Sequence, residues 1–300
     1  MFEKLLIVSD MSPSSDAIID CVGYLKNYGA KECMLLQCMN TQQTSSLAFS
    51  YSTSIIDHIL EEKKEKLEAL GFKVETRIET GFPKKVVSKI AVKEDFSVVV
   101  VGEAEHSQAG EIIFDRLTYD VIHSSEKPVL IIRLVIDNKA NEHEIKAVRC
   151  HLNEHVLFPT DFSENADHAF EYLGKIVSDG VKKVTLMHVQ DENKIKPPFD
   201  DQIEEFNKVD RDRLEKLKID LMENNDLEID FVIEYGKPTR EILKVIEEKD
   251  VSLVVMGSQG RGFIKEVFVG SVSHSIARHS NASVLLVPFK DSENDSLKVN

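Results

Sequence analysis

Tryptophan is absent from the 300-residue sequence, and four cysteines, eight prolines and thirteen glycines are few for this length. So little proline and glycine excludes a collagen-like or low-complexity chain. Cys21, Cys33, Cys38 and Cys150 form no C-x-x-C pair and no evenly spaced framework. Neither a zinc site nor a disulfide scaffold is therefore expected, and all four are read as reduced thiols. No window approaches the ~18 consecutive apolar residues of a membrane span. The opening run Leu5-Leu6-Ile7-Val8 is too short for the core of a secretion signal, so a cytoplasmic protein is expected. Basic residues are in deficit as well: 37 Lys and Arg against 52 Asp and Glu leave a net charge of −15. A general nucleic-acid binder needs the opposite balance, because its affinity comes from displacing counterions from phosphates. A local pocket for one nucleotide is still compatible with an acidic chain.

What is present is an ordinary globular composition, 42% hydrophobic and 30% charged, long enough for about two domains of typical size. The chain repeats itself. KEDFSVVVVG at 93–102 returns as EKDVSLVVMG at 248–257, an offset of 155 that also carries Gly81-Phe82-Pro83 onto Gly236-Lys237-Pro238. Near the starts the offset is 151, matching Ser9-Asp10-Met11-Ser12 with Thr160-Asp161-Phe162-Ser163. The extra residues of the second copy are placed near Pro197-Pro198. Each copy alternates apolar runs with amphipathic stretches, which predicts a parallel sheet covered by helices. In the second copy, strands are expected at 155–158, 183–189, 227–234, 252–256 and 283–287. Ser163 or its neighbour should cap the first helix. Domains are expected at 1–136 and 154–290, joined by a polar linker at 137–153 with a helical turn or two, and followed by a tail at 291–300.

The segment that carries chemistry begins at Gly257. Gly257, Gly260, Gly270 and Ser271 read G-x2-G-x9-G-S, starting at the end of a buried strand and finishing at a helix start. Ligands of open parallel sheets bind at that edge. A helix N-terminus offers unpaired N–H groups and partial positive charge to a phosphate. Glycines allow close backbone approach and positive φ, and the Ser271 and Ser273 hydroxyls add donors. The plainer alternative is a tight loop with a serine-capped helix. The spacing matches neither the P-loop nor the Rossmann fingerprint.

The motif closely resembles the ATP-binding motif of the universal stress protein family. The likeness extends to Phe158-Pro159-Thr160-Asp161-Phe162-Ser163, to Met187-His188-Val189 and to Val284-Leu285-Leu286-Val287-Pro288. With the first copy it covers nearly the whole chain. It implies an α/β fold of two tandem, doubly wound, five-stranded parallel sheets in the order 3-2-1-4-5. It also implies an adenine nucleotide, ATP or AMP, with Mg²⁺ or Mn²⁺, in the second copy. Gly257, Gly260, Gly270, Ser271, Val272 and Ser273 would line the phosphates and ribose, with Arg261 and Gly262 on the intervening loop. Asp161 would face the ribose or the metal, though it also suits a helix-entry residue bonding local N–H groups. Thr160 and Val189 would meet the adenine through backbone groups, and Met256 would lie near the base. Fifth strands would pair as an internal pseudo-dimer, with a further homodimer and an unidentified protein partner.

In the first copy Glu105, Asp115, Arg116 and Thr118 replace Gly260, Gly270, Ser271 and Ser273. That copy is expected not to bind ATP. The rival readings are a slow ATPase, for which no general base or arginine finger can be assigned, and a nucleotide-free scaffold. His188 is read as a satisfied strand histidine, His274 and Arg278 as a surface pair, and Asp210–Lys218 as a solvated helix face.

Overall fold

The computed structural model describes residues 2–9, 14–39, 46–104, 116–137, 144–147, 150–195, 203–222, 227–261 and 269–289. In the first copy the strands are β1 (Lys4–Ser9), β2 (Glu32–Met39), β3 (Lys73–Thr80), β4 (Val98–Ala104) and β5 (Val129–Asp137). Helices α1 (Ser14–Val22), α2 (Ser46–Ala69), α3 (Pro83–Lys93) and α4 (Arg116–Ile122) connect them, with a 3-10 turn after α1. A short strand, β6 (Glu144–Ala147), precedes the second copy. There β7 (Val156–Pro159), β8 (Lys183–Asp191), β9 (Glu228–Gly236), β10 (Leu253–Gly257) and β11 (Ser283–Val287) alternate with α5 (Glu164–Val177), α6 (Ile203–Met222), α7 (Pro238–Glu248) and α8 (Ser271–His279).

The sheet path is β3-β2-β1-β4-β5-β11-β10-β7-β8-β9, so each half runs 3-2-1-4-5 in its own order. Ladders within each half are parallel, and helices on both faces explain why β1, β10 and β11 are apolar along their lengths. The halves meet at β5 and β11, which pair antiparallel with Leu285 opposite Leu130. A bare apolar edge would template outside pairing; here each fifth strand covers the other, and the two sheets become one. Arg133, buried at this seam, donates from its backbone N–H to Ser283 Oγ at 3.2 Å and from Nη2 to the Ala277 carbonyl at 2.5 Å. Two apolar layers, one on each face of the sheet, both run through the two copies without a break.

Two expectations are corrected. The stretch read as a linker with helical turns contains a strand instead, because β11 pairs only with residues 129–131 of β5. Residues 134–137 of β5 lie beyond its reach, and β6 takes them in antiparallel register. The cysteines are not all reduced: Cys21 of α1 and Cys150 form a disulfide, Cα to Cα 4.7 Å, across 129 residues of sequence. Cys33 and Cys38 are free, and burial pushes both thiols up to about 12. Pro197-Pro198 and the tail lie outside the described residues. Among the described residues no helix is long and apolar enough to cross a membrane.

Candidate functional site

The site grows from the junction between β7 and α5. The Thr160 N–H extends the ladder by one bond to the Met187 carbonyl, 2.8 Å. The chain then turns through Phe162, which has a left-handed φ of 56°. Three side chains hold that turn: Thr160 Oγ1 accepts from Phe162 N (2.9 Å), Asp161 Oδ1 from Ser163 N (3.1 Å) and Ser163 Oγ from Ala166 N (3.3 Å). The last of these is the expected N-cap of α5. Opposite, the segment after β10 is tied down bond by bond. Ser258 N donates to the Val287 carbonyl (2.7 Å), and Gly270 N returns to the Ser258 carbonyl (2.7 Å). Gln259 N donates to Asn165 Oδ1 and Arg261 N to Asp161 Oδ2, each at 2.8 Å.

Between these walls lies a cleft of about 890 Å³ at the carboxyl ends of β7, β8 and β10. It is lined by Thr160, Asp161, Val189 and Met256. Gly257, Gly260, Arg261, Gly270, Ser271, Val272 and Ser273 line it as well. Gly262 lies outside the described residues. Gly270 is the N-cap of α8 and supplies no side-chain cap, so the N–H groups of Ser271, Val272 and Ser273 have no partner within the helix. At the far end, β8 outruns β7, whose register stops at Pro159 opposite Met187. The Met187 carbonyl points toward β7. Strand alternation turns the Val189 N–H and C=O the same way, toward the cleft, where among the described residues β7 has already ended.

Several roles change with the geometry. None of Gly257, Gly260 and Gly270 needs positive φ. A Cβ on Gly257 would lie 2.7 Å from Asn165 Oδ1, and one on Gly260 2.5 Å from Asp161 Oδ2. A Cβ on Gly270 would meet nothing closer than 3.6 Å. The Ser273 hydroxyl is committed to the Gly257 carbonyl (2.9 Å), which takes it out of the expected donor set. Both Thr160 backbone groups are engaged, the N–H with Met187 and the carbonyl with His188 Nδ1 (2.8 Å). His188 is the satisfied histidine that was expected, and burial holds it below the usual imidazole range.

Asp210 is not part of a solvated face. It is 8% exposed, accepts from Gln190 Nε2 at 2.9 Å and faces His188 Nε2 at 3.7 Å. Its neighbour Arg213 stands over the Phe162 ring, 5.1 Å from its centroid. Lys194, Arg213 and Asn165 were missed in the sequence, the first two being border residues of the cleft. His274 is half-buried; its ring lies 5.4 Å from His123 and 6.0 Å from Tyr119 of α4.

The described residues contain no cluster of three or more His, Cys, Asp or Glu able to hold a metal. Asp161 stands alone, and each of its oxygens already accepts a backbone N–H. A divalent cation here would take most of its ligands from phosphate and water, as Mg²⁺ commonly does.

In the first copy Thr118 Oγ1 donates to the Gly102 carbonyl at 3.4 Å, repeating the Ser273–Gly257 bond. The space beside Gly102 is filled by Ile18 of α1 rather than by an amide. Asp10, Glu105 and Asp115 lie outside the described residues.

A sequence model of the Universal stress protein family matches residues 1–133 and 153–288. Universal stress protein MJ0577 of Methanocaldococcus jannaschii is 32% identical over 155 residues, covering 46% of this chain and 96% of that protein. A universal stress protein of Mycolicibacterium smegmatis is 23% identical over 297 residues, covering 94% of this chain and 96% of the relative. The crystal structure of a universal stress protein from Archaeoglobus fulgidus superimposes with a TM-score of 0.74 at 25% identity, covering 96% of this chain and 98% of that one.

Proposed function

The chain belongs to the universal stress protein family, and from that premise we propose that its second copy binds an adenine nucleotide, ATP or AMP, as a cytoplasmic stress-response sensor. One observation carries the reading. Among the described residues the cleft borders the N–H groups that open α8, read here as its anion end, and the Val189 backbone beyond the end of β7, read here as its base end. The first favours phosphate through local N–H groups and the helix dipole. The second matches the adjacent donor and acceptor on an adenine edge. Met256, Ile242 and Val209 supply apolar surface for the ring between them. Asp161 would meet the ribose, and Mg²⁺ or Mn²⁺ would arrive with the phosphates.

The first copy, domain 1–136, acts in this reading as a silent structural partner of domain 154–290. An ATPase is the weaker reading. His188 is buried with Nδ1 on the Thr160 carbonyl and Nε2 facing Asp210 Oδ2 at 3.7 Å, and Asp161 already accepts a backbone N–H on each oxygen, so neither is a readily assigned base for water. An unidentified protein partner would read the nucleotide state, and two chains would associate through their remaining faces.

The test is to denature the purified protein, identify any released nucleotide by mass spectrometry, and titrate the emptied protein with Mg·ATP. About one adenine nucleotide per chain supports one live site and one silent one. No nucleotide, with no uptake of added Mg·ATP, overturns the proposal in favour of a scaffold.

A further inference from the structure

Asn165 has no place in the motif, yet it is among the most enclosed polar residues of the protein, 2% exposed in the first turn of α5. Its amide is fully oriented. Oδ1 accepts from Gln259 N at 2.8 Å, and Nδ2 donates to the Val287 carbonyl at 3.2 Å, so which atom is oxygen follows from the partners. The same oxygen occupies the space a Cβ on Gly257 would need. Four residues earlier, ahead of the helix, Asp161 does the same for Gly260 and holds Arg261 N. The two side chains are four residues apart, and the two glycines they fill are three apart.

The geometry points to Asn165 as the positioning residue of the phosphate loop. With Asp161 it forms a two-point clasp that holds the backbone at 259–261 in its ligand-ready shape, and Gly257 is a glycine to admit the Asn165 amide. The inference rests on the cleft being the nucleotide site. It also accounts for the asymmetry between the copies. Gly102 retains the glycine, but its neighbour is the apolar Ile18, which offers the following loop no acceptor. The position equivalent to Asn165 at the 151-residue offset is Ser14. The Gln259 N–H is half-buried, and a donor that loses its acceptor there is better placed turned to water, so the loop amide should give up its position once the Asn165 side chain is removed.

The experiment compares the full-length wild type with Asn165→Ala, Gly257→Ala and the double variant. Two quantities are read: amide hydrogen exchange at Gln259 in the nucleotide-free protein, and affinity for Mg·ATP by calorimetry. In Asn165→Ala, exchange at Gln259 should rise at least tenfold and affinity should fall at least tenfold. Gly257→Ala should melt lower, because its methyl collides with the amide. The double variant removes that collision, leaving the Asn165 carbonyl at 3.1 Å, and should recover melting temperature relative to Gly257→Ala. Its exchange should stay fast and its binding weak. A role in packing alone predicts that affinity returns with stability, and that result overturns the inference. So does wild-type exchange at Gln259 in Asn165→Ala. If the wild type itself takes up no ATP, the nucleotide reading falls, and the exchange comparison still decides the clasp.

Discussion

Replacing Gly270 with aspartate should make the protein more stable and, on the proposed function, abolish nucleotide binding. Gly270 is the N-cap of α8 at φ −71° and ψ 160°, a conformation open to any residue, and its N–H bond to Ser258 survives substitution. A new Cβ meets ordinary contacts of 3.6 Å or more. Aspartate caps better than glycine by a few tenths of a kcal/mol, and a carboxylate at the positive end of the helix adds ~0.3–1 kcal/mol. The sum, about 1 kcal/mol, raises the melting temperature by roughly 2–4 °C for a protein of this order of size. The same carboxylate would stand roughly 4 Å from a phosphate held by the Ser271–Ser273 N–H groups. At an effective dielectric of ~20 that repulsion is about 4 kcal/mol, several hundredfold in affinity. Gly270→Asn separates charge from shape, since it caps as well without the charge. The assay is thermal melting with calorimetric titration of Mg·ATP. Gly270→Asp binding as tightly as the wild type would refute the placement of the phosphates, and Gly270→Asn binding as weakly as Gly270→Asp would make the effect steric.

Three further outcomes are expected. Reducing the Cys21–Cys150 bond should destabilise the fold by up to about 5 kcal/mol on the chain-entropy relation for a loop of this length. Alkylation of the unfolded chain should count two thiols before reduction and four after, and four beforehand would remove the disulfide. Leu285→Ala, at the seam opposite Leu130 and fully buried, should lose ~2–5 kcal/mol. Both halves should then melt together, whereas two separated transitions would show that the seam does not couple them. Burial holds His123, His155, His188 and His274 below the ordinary imidazole range, with His274, Lys84 and Arg278 adding repulsion around the α4–α8 cluster. Neutral forms are favoured in the fold, so stability is full above the unfolded value near ~6.5 and is lost as pH falls through the folded values. Urea midpoints should drop between pH 7.5 and pH 5, and by less in His123→Gln/His274→Gln; an equal drop would clear that pair of the effect.

The strands were legible because a parallel sheet covered on both faces needs continuous apolar runs, and 253–257 and 283–287 have no other use for them. The α5 entry was legible because Ser163 is a residue type that caps, placed just ahead of an amphipathic run. The cleft was legible through its glycines, but not the reason for them. Spacing reports that a side chain is missing and not which atom takes its space, and here Asn165 and Asp161 take it. An asparagine in a first helical turn looks in sequence like any solvated one. Asp210 was hidden in a run of charges for the same reason, since burial depends on what β8 places opposite it. The disulfide joins cysteines 129 residues apart. It became visible only once the polar segment carrying β6 was seen to fold back along β5.

The seam lets two similar copies diverge beside their strand-four glycines. β5 and β11 present the same kind of apolar edge to each other, and they pair through residues 129–131 and 284–286, short of the cleft-lining residues of the second copy. In a symmetric dimer of identical chains, any change beside the strand-four glycine would enter both sites at once. With both copies on one chain, the glycine can be retained for packing in each half and its neighbour changed in only one. Gly102 against Ile18 makes a dry, closed contact; Gly257 against Asn165 makes a polar one that faces a loop amide. The shared sheet therefore depends on the first copy being folded and places no demand on it to bind. Ile18→Asn should leave the first copy unable to take up Mg·ATP, because in the sequence Glu105 and Asp115 replace Gly260 and Gly270. A second equivalent of nucleotide per chain in that variant would show that the clasp, and not the loop charge, is what silences the first half.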